Sequence, residues 1–159
     1  MRLKYLSIVL VVWMSACGNP SSSSGTSLTP ADVEAEDVSF TFRRKFASGT
    51  YVFHSQAELD SAWDAAPFES FPGVILTEPD RPTYDFSEKM VVGFSRDVGP
   101  MCLYPTIVRV ERTGPDTVVH YLAPTKTSTG CLYVKGPLVA FAVVPRAEGD
   151  VGFVQDPNE

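Results

Sequence analysis

The chain is poor in the residues from which metal centres and nucleophilic sites are commonly built. Its 159 residues hold two histidines, His54 and His120, and three cysteines, Cys17, Cys102 and Cys131. These five are scattered, with none of the close spacing of a zinc motif, so neither a metal nor another cofactor is expected. No Gly-x-Ser-x-Gly elbow marks a hydrolase nucleophile. Glycine-rich phosphate loops, dinucleotide fingerprints and calcium loops are missing as well. Positive charge is scarce: 13 Lys and Arg against 19 Asp and Glu leave a net −6. So acidic a chain repels phosphate backbones and anionic headgroups, which argues against nucleic acid as a partner and against a basic membrane-binding patch. Long apolar runs are also lacking. The apolar stretch from Leu6 to Met14 is about half the roughly twenty residues that a spanning helix needs.

That short stretch has a different use. Arg2 and Lys4 precede it, and the small residues Ser15 and Ala16 follow. A basic start, an apolar core and a small-residue cleavage site make residues 1–16 a secretory signal peptide. Met14-Ser15-Ala16-Cys17 resembles the lipobox of bacterial lipoprotein precursors, with Met at the position where Leu is most common. The resemblance implies cleavage before Cys17 and acylation of its thiol. Several acyl chains on one cysteine give stable attachment where a single chain is marginal. Residues 17–35 then serve as a tether. Gly18, Asn19, Pro20, Ser21 to Ser24, Gly25, Thr26 and Ser27 offer little to bury, and a coil of about eighteen such residues spans roughly 25 Å. The expected location is the cell envelope, lipid-anchored. Gly18 in place of Asp after the cysteine resembles the sorting signal for the outer of two membranes. Cleavage removes two basic residues and no acidic ones, so the net charge moves from −6 to −8.

Export also bears on the other two cysteines. In an oxidising compartment an even pair most often forms a disulfide, so Cys102 and Cys131 are expected to pair. The loop so closed, about 29 residues, corresponds to about 3–4 kcal/mol on the chain-entropy view.

The folded part is expected to be one domain over residues 36–146, followed by a loosely packed acidic tail, 147–159. Ser39-Phe40-Thr41-Phe42 alternates as a half-buried strand would, and Thr50 to Phe53 makes a second. Ser55-Gln56-Ala57-Glu58 is a capping box. Leu59, Ala62, Trp63 and Ala66 follow as one apolar stripe, and Pro67 stops a helix over about 55–66. Met90 to Phe94 is a continuous apolar run suited to a central strand. Thr106 to Arg112 alternates, with Val108 and Val110 on one face and Arg109 and Glu111 on the other. Gly114-Pro115-Asp116 turns the chain back into Thr117 to Leu122, and Leu138 to Val144 is the last strong strand. An α+β fold follows: a mainly antiparallel sheet with the single helix packed on one face.

No residue of this domain recommends itself as catalytic. His54 precedes a helix cap, and His120 alternates with Val119 and Tyr121, where cross-strand pairing is the usual role. The order of elements from Tyr51 to Arg146 has its own character: a capped helix with Trp63, Asp85-Phe86-Ser87 leading into an apolar strand, the return Val118-Val119-His120-Tyr121, and a last strand ending Val144-Pro145-Arg146. This layout resembles the C-terminal domain of PrcB-type lipoproteins, accessory subunits that stabilise a surface protease complex. Where that family carries a Gly-Gly-aromatic turn, this chain has Gly99-Pro100-Met101-Cys102-Leu103-Tyr104, and only the aromatic is kept. The resemblance implies a non-catalytic module that binds or stabilises a protein partner, a protease or another envelope protein. Loops on a rigid scaffold are where binding usually sits. Residues 98–104 and 124–130, with Gly99, Met101, Tyr104 and Lys126 among them, are the candidate contacts. The alternatives are a small-ligand carrier with Trp63, Phe94 and Tyr104 lining a pocket, and a hydrolase with an unrecognised site.

Overall fold

The computed structural model describes residues 29–68, 77–100, 104–123 and 133–157. Their elements follow in the order β1 (Ala31–Val33), β2 (Glu36–Asp37), β3 (Gly49–Phe53), α1 (Gln56–Ala65), β4 (Lys89–Pro100), β5 (Thr106–Thr113), β6 (Asp116–Leu122), β7 (Tyr133–Pro145) and β8 (Val151–Gln155). The frame is the antiparallel pair β4 and β7, which runs from Lys89 opposite Pro145 to Pro100 opposite Tyr133. β2 and β3 flank that pair in an inner sheet of order β2-β7-β4-β3. Strand alternation sends Val91, Val139, Phe141 and Val143 to one side, and Met90, Val92, Ala142 and Val144 to the other. Both sides are covered, which is why the runs Met90–Phe94 and Leu138–Val144 are apolar without interruption.

The helix covers the first side. Leu59, Trp63 and Ala66 are buried there with Phe42, Phe46, Phe53 and Phe86. The Glu58 backbone N–H donates to the Ser55 hydroxyl, and the Glu58 carboxylate accepts from the backbone N–H of His54, one residue before the cap. His54 thus has its backbone in the capping. An outer sheet of order β1-β5-β6-β8 covers the second side, burying Val110 and Val119 against Met90 and Val92. The molecule is α+β with mostly antiparallel strands. Its three layers are helix, inner sheet and outer sheet.

Several local expectations change. Residues 39–42 form turns, not a strand. Asp37 Oδ1 accepts from the Ser39 backbone N–H at 2.9 Å and from its hydroxyl at 2.6 Å, a local bond that competes with a ladder. Phe42 is consequently buried, while Phe40 stands 71% exposed under the Arg43 guanidinium. In β5 the pairing shifts between Ile107 and Arg109. This bulge leaves Val108 as the extra residue, 47% exposed, and Ile107 joins Val110 on the core side instead. The β5–β6 turn needs Gly114, whose φ is +61°; Pro115 beside it cannot supply a second positive φ, which leaves the type II′ family.

The sheets also extend past 36–146 at both ends. β1, within the expected tether, pairs Ala31 with Arg112. The expected loose tail supplies β8, which runs parallel to β6 from Thr117 opposite Val151 to Tyr121 opposite Gln155. Five residues carry too little periodicity to read as a strand, and a parallel partner some thirty positions away leaves no turn signal between.

One contact ties the helix layer to the inner sheet. The Phe141 ring lies across the backbone of Gly93 on β4, where a Cβ would fall 2.0 Å from the ring. The same ring stacks on Phe42 at 4.2 Å and meets Phe46 and Tyr51 at 5.2 and 5.8 Å. Gly93→Ala is therefore expected to destabilise the fold by about 1–3 kcal/mol through overpacking, read as a lower urea midpoint at unchanged m-value. A midpoint within error of the parent would show that the ring can move aside.

Candidate functional site

The densest group of polar chemistry among the described residues lies on the outer sheet's solvent face. Because Val110 and Val119 point inward, their neighbours Arg109, Glu111, Val118 and His120 point outward. Arg109 is the cross-strand partner of His120 on β5, and Val154 is its partner on β8. Asp156, just past β8, is fixed by its backbone N–H donating to the Tyr121 carbonyl at 2.9 Å. Its side chain turns back onto the same face.

His120 sits between two carboxylates. Nδ1 lies 3.0 Å from Asp156 Oδ1, and Nε2 lies 3.5 Å from Glu111 Oε2. In a neutral ring the proton therefore belongs on Nδ1, donating to Asp156. The Arg109 NH2 nitrogen is 3.1 and 3.4 Å from the two ring nitrogens. A position so nearly equidistant from both places it over the ring rather than in its plane. The guanidinium thus covers the imidazole, which explains how a histidine on a solvent face comes to be buried.

Arg109 also donates from Nε to Glu111 Oε1 at 2.7 Å. That bond, more than the accompanying charge, holds the Glu111 carboxyl below the usual carboxylate range and raises the Arg109 guanidinium. Arg109 NH1 reaches Asp156 Oδ2 at 3.5 Å. Four side chains from three segments so form one knot that fastens the end of β8 to β5 and β6. What the contacts show is fastening of β8 to β5 and β6; among the described contacts no hydroxyl or thiol lies against the ring nitrogens.

The remaining surface features are plainer. A shallow cleft of about 320 Å³ opens beside β2 and the end of β7, lined by Glu34, Glu36, Glu88 and Lys89 over Val143, Val144 and Pro145. No group of three His, Cys, Asp or Glu among the described residues is arranged to hold a metal ion. The face of the outer sheet that bears the knot carries no packed layer among the described residues. Tyr104 stands 62% exposed, and Val154 45%.

The residues singled out from the sequence are dispersed. Gly99 lies within β4, opposite Val134, so residues 98–100 belong to a strand rather than a loop. Tyr104 is exposed just before β5. Cys17, Met101, Cys102, Lys126 and Cys131 lie outside the described residues. The carrier pocket of Trp63, Phe94 and Tyr104 does not assemble. Trp63 is buried on the helix side of the inner sheet, Phe94 stacks on Tyr121 in the inter-sheet space at 4.5 Å, and Tyr104 is in solvent. The sequence points to a cross-strand role for His120 but not to Asp156, whose one signal is an acid shortly after the four-residue apolar run Val151–Val154.

Glu111 makes a pH test possible. A carboxyl whose folded-state pKa is depressed contributes stability that is present above its unfolded pKa, and loses it as pH falls through the folded value. The loss should therefore begin near its ordinary value of 4.5 and continue below it. Urea midpoints followed from about pH 6 to about pH 3 should fall more steeply for the parent than for Glu111→Gln. Parallel slopes would mean that the Arg109–Glu111 bond does not contribute.

No family model matches the chain, and neither a curated protein nor a solved structure matches it. A functional reading therefore starts from its own residues.

Proposed function

We propose that the chain is an exported lipoprotein, anchored through acyl chains on Cys17, whose folded domain binds or stabilises a protein of the cell envelope and performs no catalysis. The observation that carries the binding reading is the outer-sheet face that no described residue covers, where Val118 and Val154 flank the Arg109–His120 knot. Exposed Tyr104 and Val108 add apolar surface. Apolar patches rimmed by polar groups are characteristic of protein interaction sites. Anchoring is supported by the basic start, the apolar run and the lipobox-like Met14-Ser15-Ala16-Cys17. The likeness to PrcB-type lipoproteins makes a protease complex the first class of partner to seek.

A Cys102–Cys131 disulfide belongs to the same reading, and the strand register supports it. β4 and β7 pair Val98 with Lys135, Gly99 with Val134 and Pro100 with Tyr133. Cys102 follows Pro100 by two positions, and Cys131 precedes Tyr133 by two. Continuing the same register would set the two cysteines opposite each other, and directly opposed residues approach closely enough for a disulfide.

Three measurements test the proposal. Cys17→Ser should move the protein from the membrane fraction to the soluble one and abolish incorporation of labelled palmitate. The intact mass of the native chain should rise by two hydrogens on reduction, and replacing both Cys102 and Cys131 by Ser should cost about 3 kcal/mol of stability. A photoreactive side chain at Tyr104 of the anchored protein should give a discrete crosslinked adduct that the same label at Ala65, on the exposed side of α1, does not. Equal patterns from both positions would remove the binding reading.

A further inference from the structure

Among the described residues β8 ends the outer sheet, and it lacks the devices that usually blunt an edge strand. Its residues, Val-Gly-Phe-Val-Gln, include no charge and no proline, and its ladder with β6 has no bulge. The edge strands β1 and β2 are protected by being only three and two residues long. Which backbone groups of β8 remain free follows from two hydrogen bonds. The Thr117 N–H donates to the Asp150 carbonyl, and the Asp156 N–H donates to the Tyr121 carbonyl. In a parallel ladder the groups of alternate residues face the same neighbour. Residues 150, 152, 154 and 156 therefore address β6, while Val151, Phe153 and Gln155 direct their N–H and carbonyl groups away from the sheet.

The side chains at this edge are also incompletely covered. Val151 and Phe153 point toward the inter-sheet core but are only partly buried, as is Val52 on β3. β3 is in turn the last strand of the inner sheet. A strand added to β8 would place every second side chain over Val151 and Phe153 and cover them.

Charge selects the occupant. Two copies of β8 pairing antiparallel use all three free residues on each strand only when centred at Phe153. That register sets Asp150 of one copy opposite Asp156 of the other, and like charges directly opposed are destabilising. Shifting by two residues relieves the repulsion but leaves a free residue unpaired on each copy. A strand bearing Lys or Arg opposite both Asp150 and Asp156 meets neither penalty. We propose that β8 accepts, by antiparallel β-augmentation, an extended segment of a partner protein about seven residues long, basic at both ends and apolar at the second, fourth and sixth positions. This rests on the partner-binding reading above and names the edge and the chemistry through which it works.

The test uses the full mature chain and two synthetic peptides, acetyl-Lys-Val-Thr-Val-Thr-Val-Lys-amide and its counterpart with Glu at both ends. The Lys-ended peptide should bind and slow amide hydrogen exchange at Val151, Phe153 and Gln155. The Glu-ended one should bind at least about tenfold more weakly, the factor that corresponds to one lost interaction of about 1.4 kcal/mol. Gln155→Pro removes an outward N–H while leaving the β6 ladder intact, and should weaken the Lys-ended peptide about as much at an unchanged melting temperature. Asp150→Lys changes an exposed side chain and should narrow or reverse the preference between the peptides, which covers the case in which the proline variant fails to fold. Equal binding of both peptides to the parent, binding untouched by either substitution, or no binding would overturn the proposal. So would a dimer of the chain that Gln155→Pro dissociates, since the occupant would then be a second copy. A crosslinked partner at Tyr104 without peptide binding at β8 would remove this inference and leave the general one standing.

Discussion

The Phe141 ring against the Gly93 backbone is the contact on which the layers depend. β4 and β7 are the only long strands among the described residues, and every layer is built on one of their two faces. On the helix side, a side chain at position 93 would have held the Phe141 ring away from the sheet. With glycine there, the ring lies flat enough to stack on Phe42 and to let Trp63 approach Phe42 edge-on at 5.9 Å. The segment before β3 is caught by the same residue. The backbone N–H of Phe141 donates to the Ser39 hydroxyl, and its carbonyl accepts from the Val38 N–H. One residue of β7 thus sets the position of the turn, the aromatic cluster and the helix together.

The other face follows a different logic. Inter-sheet packing is made mostly by Met90 and the small and β-branched residues Val92, Val110, Val119, Ala142 and Val144, joined by the stacked rings of Phe94 and Tyr121. Polar groups close the lower end. Arg112 NH2 donates to the carbonyls of Pro145 and Arg146, and Asp116 Oδ1 accepts from the Asp150 N–H. Gly149 is required beside them, because a Cβ there would lie 2.3 Å from that same oxygen. The Arg109–His120–Asp156 knot closes the opposite end of β8. β8, none of whose side chains is fully buried, is therefore held by its ladder with β6 and by polar bonds at its two ends.

What could be read from the residues divides along the same line. The helix was legible because cap, stripe and stop agree: Ser55, then Leu59 and Trp63, then Pro67. β4, the β5–β6 hairpin and the core of β7 were legible because strong apolar runs meet turn residues such as Gly114 and Pro115. The second layer was not, since nothing in a strand's own pattern states whether its far face meets solvent or another sheet. Local bonds defeated the alternation at Ser39 and Phe40, and a bulge defeated it at Val108. β1 and β8 were missed because they are short and their partners are distant. The His120 knot was half visible, its β5–β6 half lying within a hairpin and its Asp156 half depending on a strand that the sequence does not announce.

The pairing of β2 with β7 has a consequence for the order of folding. Glu36 finds its partner at Val143, and Ala31 finds its own at Arg112, so the first strands wait for residues made late in synthesis. Loops this long must close before their contacts repay the entropy of closure, which makes such topologies slow. The hairpin β5–β6 can form early, since its two strands are joined by two residues. The inner sheet cannot, because its centre is a strand pair separated by the whole of that hairpin. The inner sheet of such a chain is completed only once nearly the whole of the described length is available to pair.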